Sequence, residues 1–86
     1  MVDENIYTLI GLAIEGNRYM DSCEEAIRLK KFDLADHYLN GFRRVGTDMK
    51  ICRKKGIPVS DDNISDNTLI ATGLAKKIEQ VRRDLE

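Results

Sequence analysis

The stretch DLADHYLNGFRRVGTDMKICRKKGIP, residues 33–58, carries a helix and its termination together. Ala35, Tyr38, Phe42, Val45, Met49 and Cys52 recur at alternating spacings of three and four, which lays one narrow apolar seam along an α-helix. At the far end, RKKGIP supplies each stop signal in order. Arg53, Lys54 and Lys55 complement the negative end of the helix dipole, Gly56 takes a left-handed cap, Ile57 folds back on the last turn and Pro58 blocks continuation. At the near end, Asp33 is placed as an N-cap with Asp36 at the third helical position and Phe32 just ahead to pack on the first turn. The spacing predicts a helix over 33–55.

Working outward, Ile6, Leu9, Ile10, Ala13, Gly16, Met20, Cys23 and Ile27 mark one face of a helix over about 3–30. After Pro58 the polar run SDDNISDN offers Ser60, Asp61 and Ser65 as chemically competent caps. The seam Ile64, Ala71, Leu74, Ile78, Val81 and Leu85 then predicts a third helix over about 63–85. Three amphipathic helices with short connections imply an all-α fold, a small antiparallel three-helix bundle forming one domain over 1–86. EEAIRLKKFDLADHYL resembles the inter-helix turn of tetratricopeptide repeats, with Ala26, Phe32, Asp33, Ala35 and Tyr38 similarly placed, and no 34-residue period recurs. That resemblance supports the turn alone.

With 86 residues, 42% of them hydrophobic, the chain buries only about 60–65% of the surface it exposes when unfolded. So thin a core disfavours a deep catalytic pocket and raises the expectation that a second copy completes the bundle. Fourteen basic residues face fifteen acidic ones, so no net field draws the chain to nucleic acid or to an anionic membrane. The N-terminus MVDENIY has no basic, apolar leader pattern, and no run nears the ~18 apolar residues of a membrane span. A cytoplasmic location is expected. In an antiparallel hairpin turning near Lys31, Cys23 and Cys52 fall roughly 16 Å apart along the axis, beyond disulfide reach. They read as reduced core thiols, and with a single histidine at no ligand-like spacing neither a metal nor another cofactor is expected.

His37 is the only histidine, and it points roughly 110° from the centre of the seam at about 100° per residue. Gly41 lies one turn on and is expected to leave open space beside the imidazole, with Arg44 seven residues along. The segment H-Y-L-N-G resembles the H-x-L-K-G segment of histidine-containing phosphotransfer domains, helical bundles in which an exposed histidine carries a phosphoryl group. The resemblance implies His37 as acceptor and Gly41 as the clearance residue, and Asn40 stands where those domains carry lysine. A neutral imidazole is a competent nucleophile near pH 7, but transfer depends on positive charge at the phosphoryl group.

Five of the six glycines, Gly11, Gly16, Gly41, Gly46 and Gly73, fall inside the expected helices. Each costs ~1 kcal/mol against alanine, so each asks for a reason. Gly16 lies on the buried stripe, where a neighbouring helix approaches, and Gly46 is read as loosening its helix. Gly11 instead joins Tyr7, Ile14 and Arg18 in a row on the outer face of the first helix. An aromatic and an arginine framing a flat apolar surface are residue types enriched in binding hot spots. The competing structural reading packs helix one between helices two and three.

Basic doublets at Lys30–Lys31, Arg43–Arg44, Lys76–Lys77 and Arg82–Arg83, with the triplet Arg53–Lys55, read first as solvated faces. Nucleic-acid binding requires several of them to converge on one side. No glycine-rich phosphate loop, paired histidines or nucleophile elbow occurs. The leading expectation is a non-enzymatic protein–protein interaction module (regulator, inhibitor or adaptor) that presents Tyr7, Gly11, Ile14 and Arg18, with His37, Gly41 and Arg44 as a second flank. Its partner is another protein or a second copy. A phosphoryl carrier using His37 is the alternative, and a nucleic-acid-binding helical protein the third reading.

Overall fold

The computed structural model describes residues 4–85, with side chains from Thr8 onward; the expected start of the first helix at Asp3 lies outside the described residues. Three helices, α1 (Glu4–Arg28), α2 (Phe32–Lys54) and α3 (Asp61–Asp84), pack as a small all-α bundle with no strand among the described residues. Alternating direction makes α1 and α3 parallel to each other and antiparallel to α2. The bundle is long and flat, 54 × 20 × 15 Å.

Both connections close by the same device. After α1, the Lys31 N–H donates to the Ala26 carbonyl (2.9 Å) and the Lys30 N–H to Ile27 (3.0 Å), with Lys30 in the left-handed region at φ 61°. After α2, the Ile57 N–H donates to Cys52 (3.0 Å) and the Gly56 N–H to Arg53 (3.1 Å), with Gly56 at φ 89°. These are two Schellman caps, and the second is the one expected from RKKGIP. Asp33 is not the N-cap of α2. Lys31 holds that position without a side-chain bond, because the Schellman turn already delivers the chain to the helix and places Asp33 within the first turn, at the positive end of the dipole. Among the candidates for α3, Ser60 is the cap: its Oγ accepts from the Asn63 N–H (3.1 Å), so α3 starts at Asp61, two residues ahead of the expected start.

The core lies towards the end where α1 finishes. Cys23, Ala26 and Ile27 of α1 meet Ala35, Leu39 and Phe42 of α2 and Ala71, Leu74 and Ile78 of α3. There the expected seams hold. Arg82 ties the periphery together, 3.2 Å from the Asp36 carboxylate and 5.2 Å above the Phe32 ring centroid. The central helix is α2, so helix one is not sandwiched between the other two. That position explains why α2 buries more than its narrow seam, adding Leu39, Gly41 and Gly46.

At the other end, α1 departs from its expected stripe. Leu12 is buried while Ile10 is 50% exposed and Ala13 is exposed. The reason is geometric: α1 and α3 touch each other far less than either touches α2, so one side of α1 has no covering helix. Leu85, expected in the α3 seam, is likewise exposed at the end of the last helix.

Candidate functional site

The uncovered side of α1 opens onto a groove of about 260 Å³. Phe42, Val45 and Met49 of α2 form its floor, Leu9 and Met20 stand on the α1 wall, and Ile70 on the α3 wall. Away from the groove lining, on the outer side of α1, Ile10 and Ile14 are separated by one helical turn and are each about half exposed, at 50% and 51%. Gly11 sits beside them with nothing within 4 Å of where a Cβ would stand, and Arg18 is exposed one turn beyond Ile14. Gly11, Ile14 and Arg18 thus lie on the surface. Tyr7 belongs to α1, but its side chain lies outside the described residues.

The second flank differs from expectation. His37 is exposed, its ring edge-on to Tyr38 at 5.6 Å between centroids, and Arg44 is exposed as well. Gly41, however, is buried, and a Cβ there would stand 2.4 Å from the Tyr19 ring. The open space expected beside the imidazole is occupied by this tyrosine from α1. Gly41 is therefore a helix-packing residue, not a surface one. Gly46 is corrected in the same way: it does not loosen α2 but receives the Asn67 side chain, whose Oδ1 lies 2.2 Å from the ideal Cβ position. Asn67 is buried and its amide donates to the Phe42 carbonyl (3.2 Å). Gly16 is buried, but a Cβ there meets Val45 at an ordinary 3.6 Å, so the packing does not demand glycine.

No family model, no curated protein and no solved structure matches the chain.

A second concavity, about 190 Å³, lies between α2 and α3. Arg43, Thr47 and Lys50 face Thr68 and Thr72 across it. Asn67 lines both this cleft and the apolar groove. The basic doublets offered no hint of such convergence, since a helix period assigns each residue to a face of its own helix only. Ile10 was hidden for a related reason, as its spacing suits a core position.

Electrostatic perturbations are local. Burial pushes the Cys23 thiol above its ordinary pKa, with Asp36 and Glu24 adding to the effect, and its Sγ lies 3.4 Å from the Ala35 carbonyl. The Arg28 guanidinium hydrogen-bonded to Glu25 holds that carboxylate below its usual range. Both cysteines are free thiols, Cys52 being half-buried. No helix is long and apolar enough to cross a membrane, and no group of three or more potential metal ligands occurs among the described residues.

Proposed function

We propose that this protein is a non-enzymatic helical interaction module that docks another protein along the N-terminal half of α1 and the groove beside it. One observation carries the reading: Ile10 and Ile14, one turn apart on the outer side of α1, are left half exposed. Apolar anchors that a partner can bury are the physical requirement for a hot-spot centre. Arg18 supplies a rim cation, and Gly11 admits close approach of a partner backbone. Regulator, inhibitor and adaptor roles, and pairing with a second copy, all fit this surface.

The test compares wild type with Ile10→Asp and Ile14→Asp in partner capture and in solution mass. Loss of a captured protein or of a dimer in either variant, with the helical fold intact, supports the assignment. Unchanged capture and unchanged mass in both variants refute it.

The phosphoryl-carrier reading retains one observation in its favour, the exposed His37 imidazole. It loses the clearance residue, because Tyr19 covers Gly41. It predicts acid-labile phosphate on wild type and none on His37→Gln after incubation with a phosphohistidine donor.

A further inference from the structure

Positive charge in this chain is segregated. Residues 40–55 carry Arg43, Arg44, Lys50, Arg53, Lys54 and Lys55 against the single acid Asp48. In contrast, α1 carries Glu4, Glu15, Asp21, Glu24 and Glu25 against Arg18 and Arg28, and the start of α3 carries Asp61, Asp62 and Asp66. All six cations of the 40–55 segment are exposed, and among the described residues only Arg53 has a carboxylate partner, Asp61. Unpaired cations gathered on one element of a nearly neutral protein form a local field that net charge conceals.

Their arrangement is directional. Arg43, Thr47, Lys50 and Lys54 follow at i, i+4, i+7 and i+11, one face of α2 spanning roughly 16 Å. Arg43 and Lys50 reach into the cleft shared with α3, where Thr47, Thr68 and Thr72 bring hydroxyl groups. Each hydroxyl donates to the carbonyl one turn back, Thr47 to Arg43 (3.4 Å), Thr68 to Ile64 (3.2 Å) and Thr72 to Thr68 (2.9 Å). Those carbonyls already serve the helix, so the hydroxyl protons are available to a stronger, anionic acceptor.

We propose that this face binds the phosphodiester backbone of a nucleic-acid duplex without reading its sequence. Arginine, lysine and threonine side chains are the groups that contact phosphate and sugar. The apolar residues of the cleft are Ile64, half-buried, and Ala71, buried, so it lacks the exposed aromatic or aliphatic anchor of a protein interface. The row also contains no aromatic side chain on which an unpaired base would stack, which favours duplex over single strand. This proposal is independent of the protein-docking surface on α1.

The experiment measures binding of the full chain to a fluorescent 20-base-pair duplex of mixed sequence by anisotropy, from 50 to 200 mM salt. Contacts from Arg43, Lys50 and Lys54 predict a slope of log affinity against log salt near −2.7, about a fortyfold loss over that range. In Arg43→Ala/Lys50→Ala the slope is expected to fall to roughly −0.9. Lys76→Ala/Lys77→Ala removes the same charge from α3 outside the cleft and is expected to leave the slope unchanged. Alanine at these exposed helical positions preserves the fold, which circular dichroism verifies. Absence of saturable duplex binding at 50 mM salt, equal loss in both variants, tighter binding to the single strand, or binding to phosphatidylserine vesicles without duplex binding would each overturn the proposal.

Discussion

The pairing of Gly46 with Asn67 makes a prediction whose sign depends on the background. Alanine at position 46 gains ~1 kcal/mol of helix propensity. Its Cβ, however, would stand 2.2 Å from the Asn67 Oδ1 and 2.9 Å from its Cγ. To clear it, the buried amide must turn away from the Phe42 carbonyl, breaking the 3.2 Å bond. Leaving a buried amide unsatisfied costs about 1–3 kcal/mol. Gly46→Ala in the wild type is therefore expected to be neutral to destabilising, by up to about 2 kcal/mol. In Asn67→Ala the obstructing atoms are gone, and the same substitution is expected to stabilise by ~1 kcal/mol. The coupling energy is about 1–3 kcal/mol. Urea unfolding of the four proteins of this cycle, followed by circular dichroism, measures it, and thermal midpoints offer a cross-check at about 4–8 °C per kcal/mol. If Gly46→Ala stabilises both backgrounds equally, the steric reading of this contact is refuted.

The other helical glycines divide on the same physics. Gly11→Ala and Gly73→Ala meet nothing within 4 Å and are each expected to raise stability by ~1 kcal/mol, whereas Gly41→Ala, aimed at the Tyr19 ring, is expected to lower it in the same unfolding assay. Lys30 occupies the left-handed region at φ 61°, so Lys30→Gly is expected to gain about 1 kcal/mol, while Gly56→Ala, at φ 89°, is expected to lose a similar amount. Calorimetric midpoints moving in opposite directions check that pair. Native-state alkylation is expected to modify Cys52 well before Cys23, which is 0% exposed; equal rates followed by mass spectrometry contradict this. Because folding raises the Cys23 pKa, its contribution is fully present below the unfolded thiol's pKa and is lost as pH rises through the folded value. Stability is thus expected to fall on the alkaline side, and a Cys23→Ser variant whose alkaline loss matches wild type would show that other groups are responsible.

Fold class was legible because helix periodicity and cap chemistry are local properties. The Gly56–Pro58 stop acts within a few residues of itself and appears in the structure as read, while of the seam from Ala35 to Cys52 the structure buries Ala35, Phe42 and Val45 and half-buries Tyr38, Met49 and Cys52. The N-cap of α2 was misread for an equally local reason: Asp33 is a good capping residue, but the preceding Schellman turn decides where the helix begins. Ile10 shows where locality ends. Its spacing suits a buried stripe, yet burial at that position requires a second helix, and α3 stays away.

The surfaces were less legible because they depend on how two helices slide past each other. Arg43 and Lys50 meet Thr68 and Thr72 only in one register of α2 against α3, and nothing in either helix alone specifies it. The register is marked by Asn67, a polar residue in an apolar seam whose buried amide is satisfied by the Phe42 carbonyl in the notch left by Gly46. Shifting α3 by one turn, about 5.4 Å, would move that amide off its acceptor and leave it unsatisfied. A leucine in its place would bury more apolar area but would fit several registers, and the notch would no longer select one. Asn67 also lines both the apolar groove and the basic cleft, so one buried hydrogen bond aligns the two surfaces at once. Asn67→Leu, which removes that bond, is therefore expected to alter partner docking and duplex binding together, whereas Ile14→Asp is expected to affect the first and Arg43→Ala/Lys50→Ala the second.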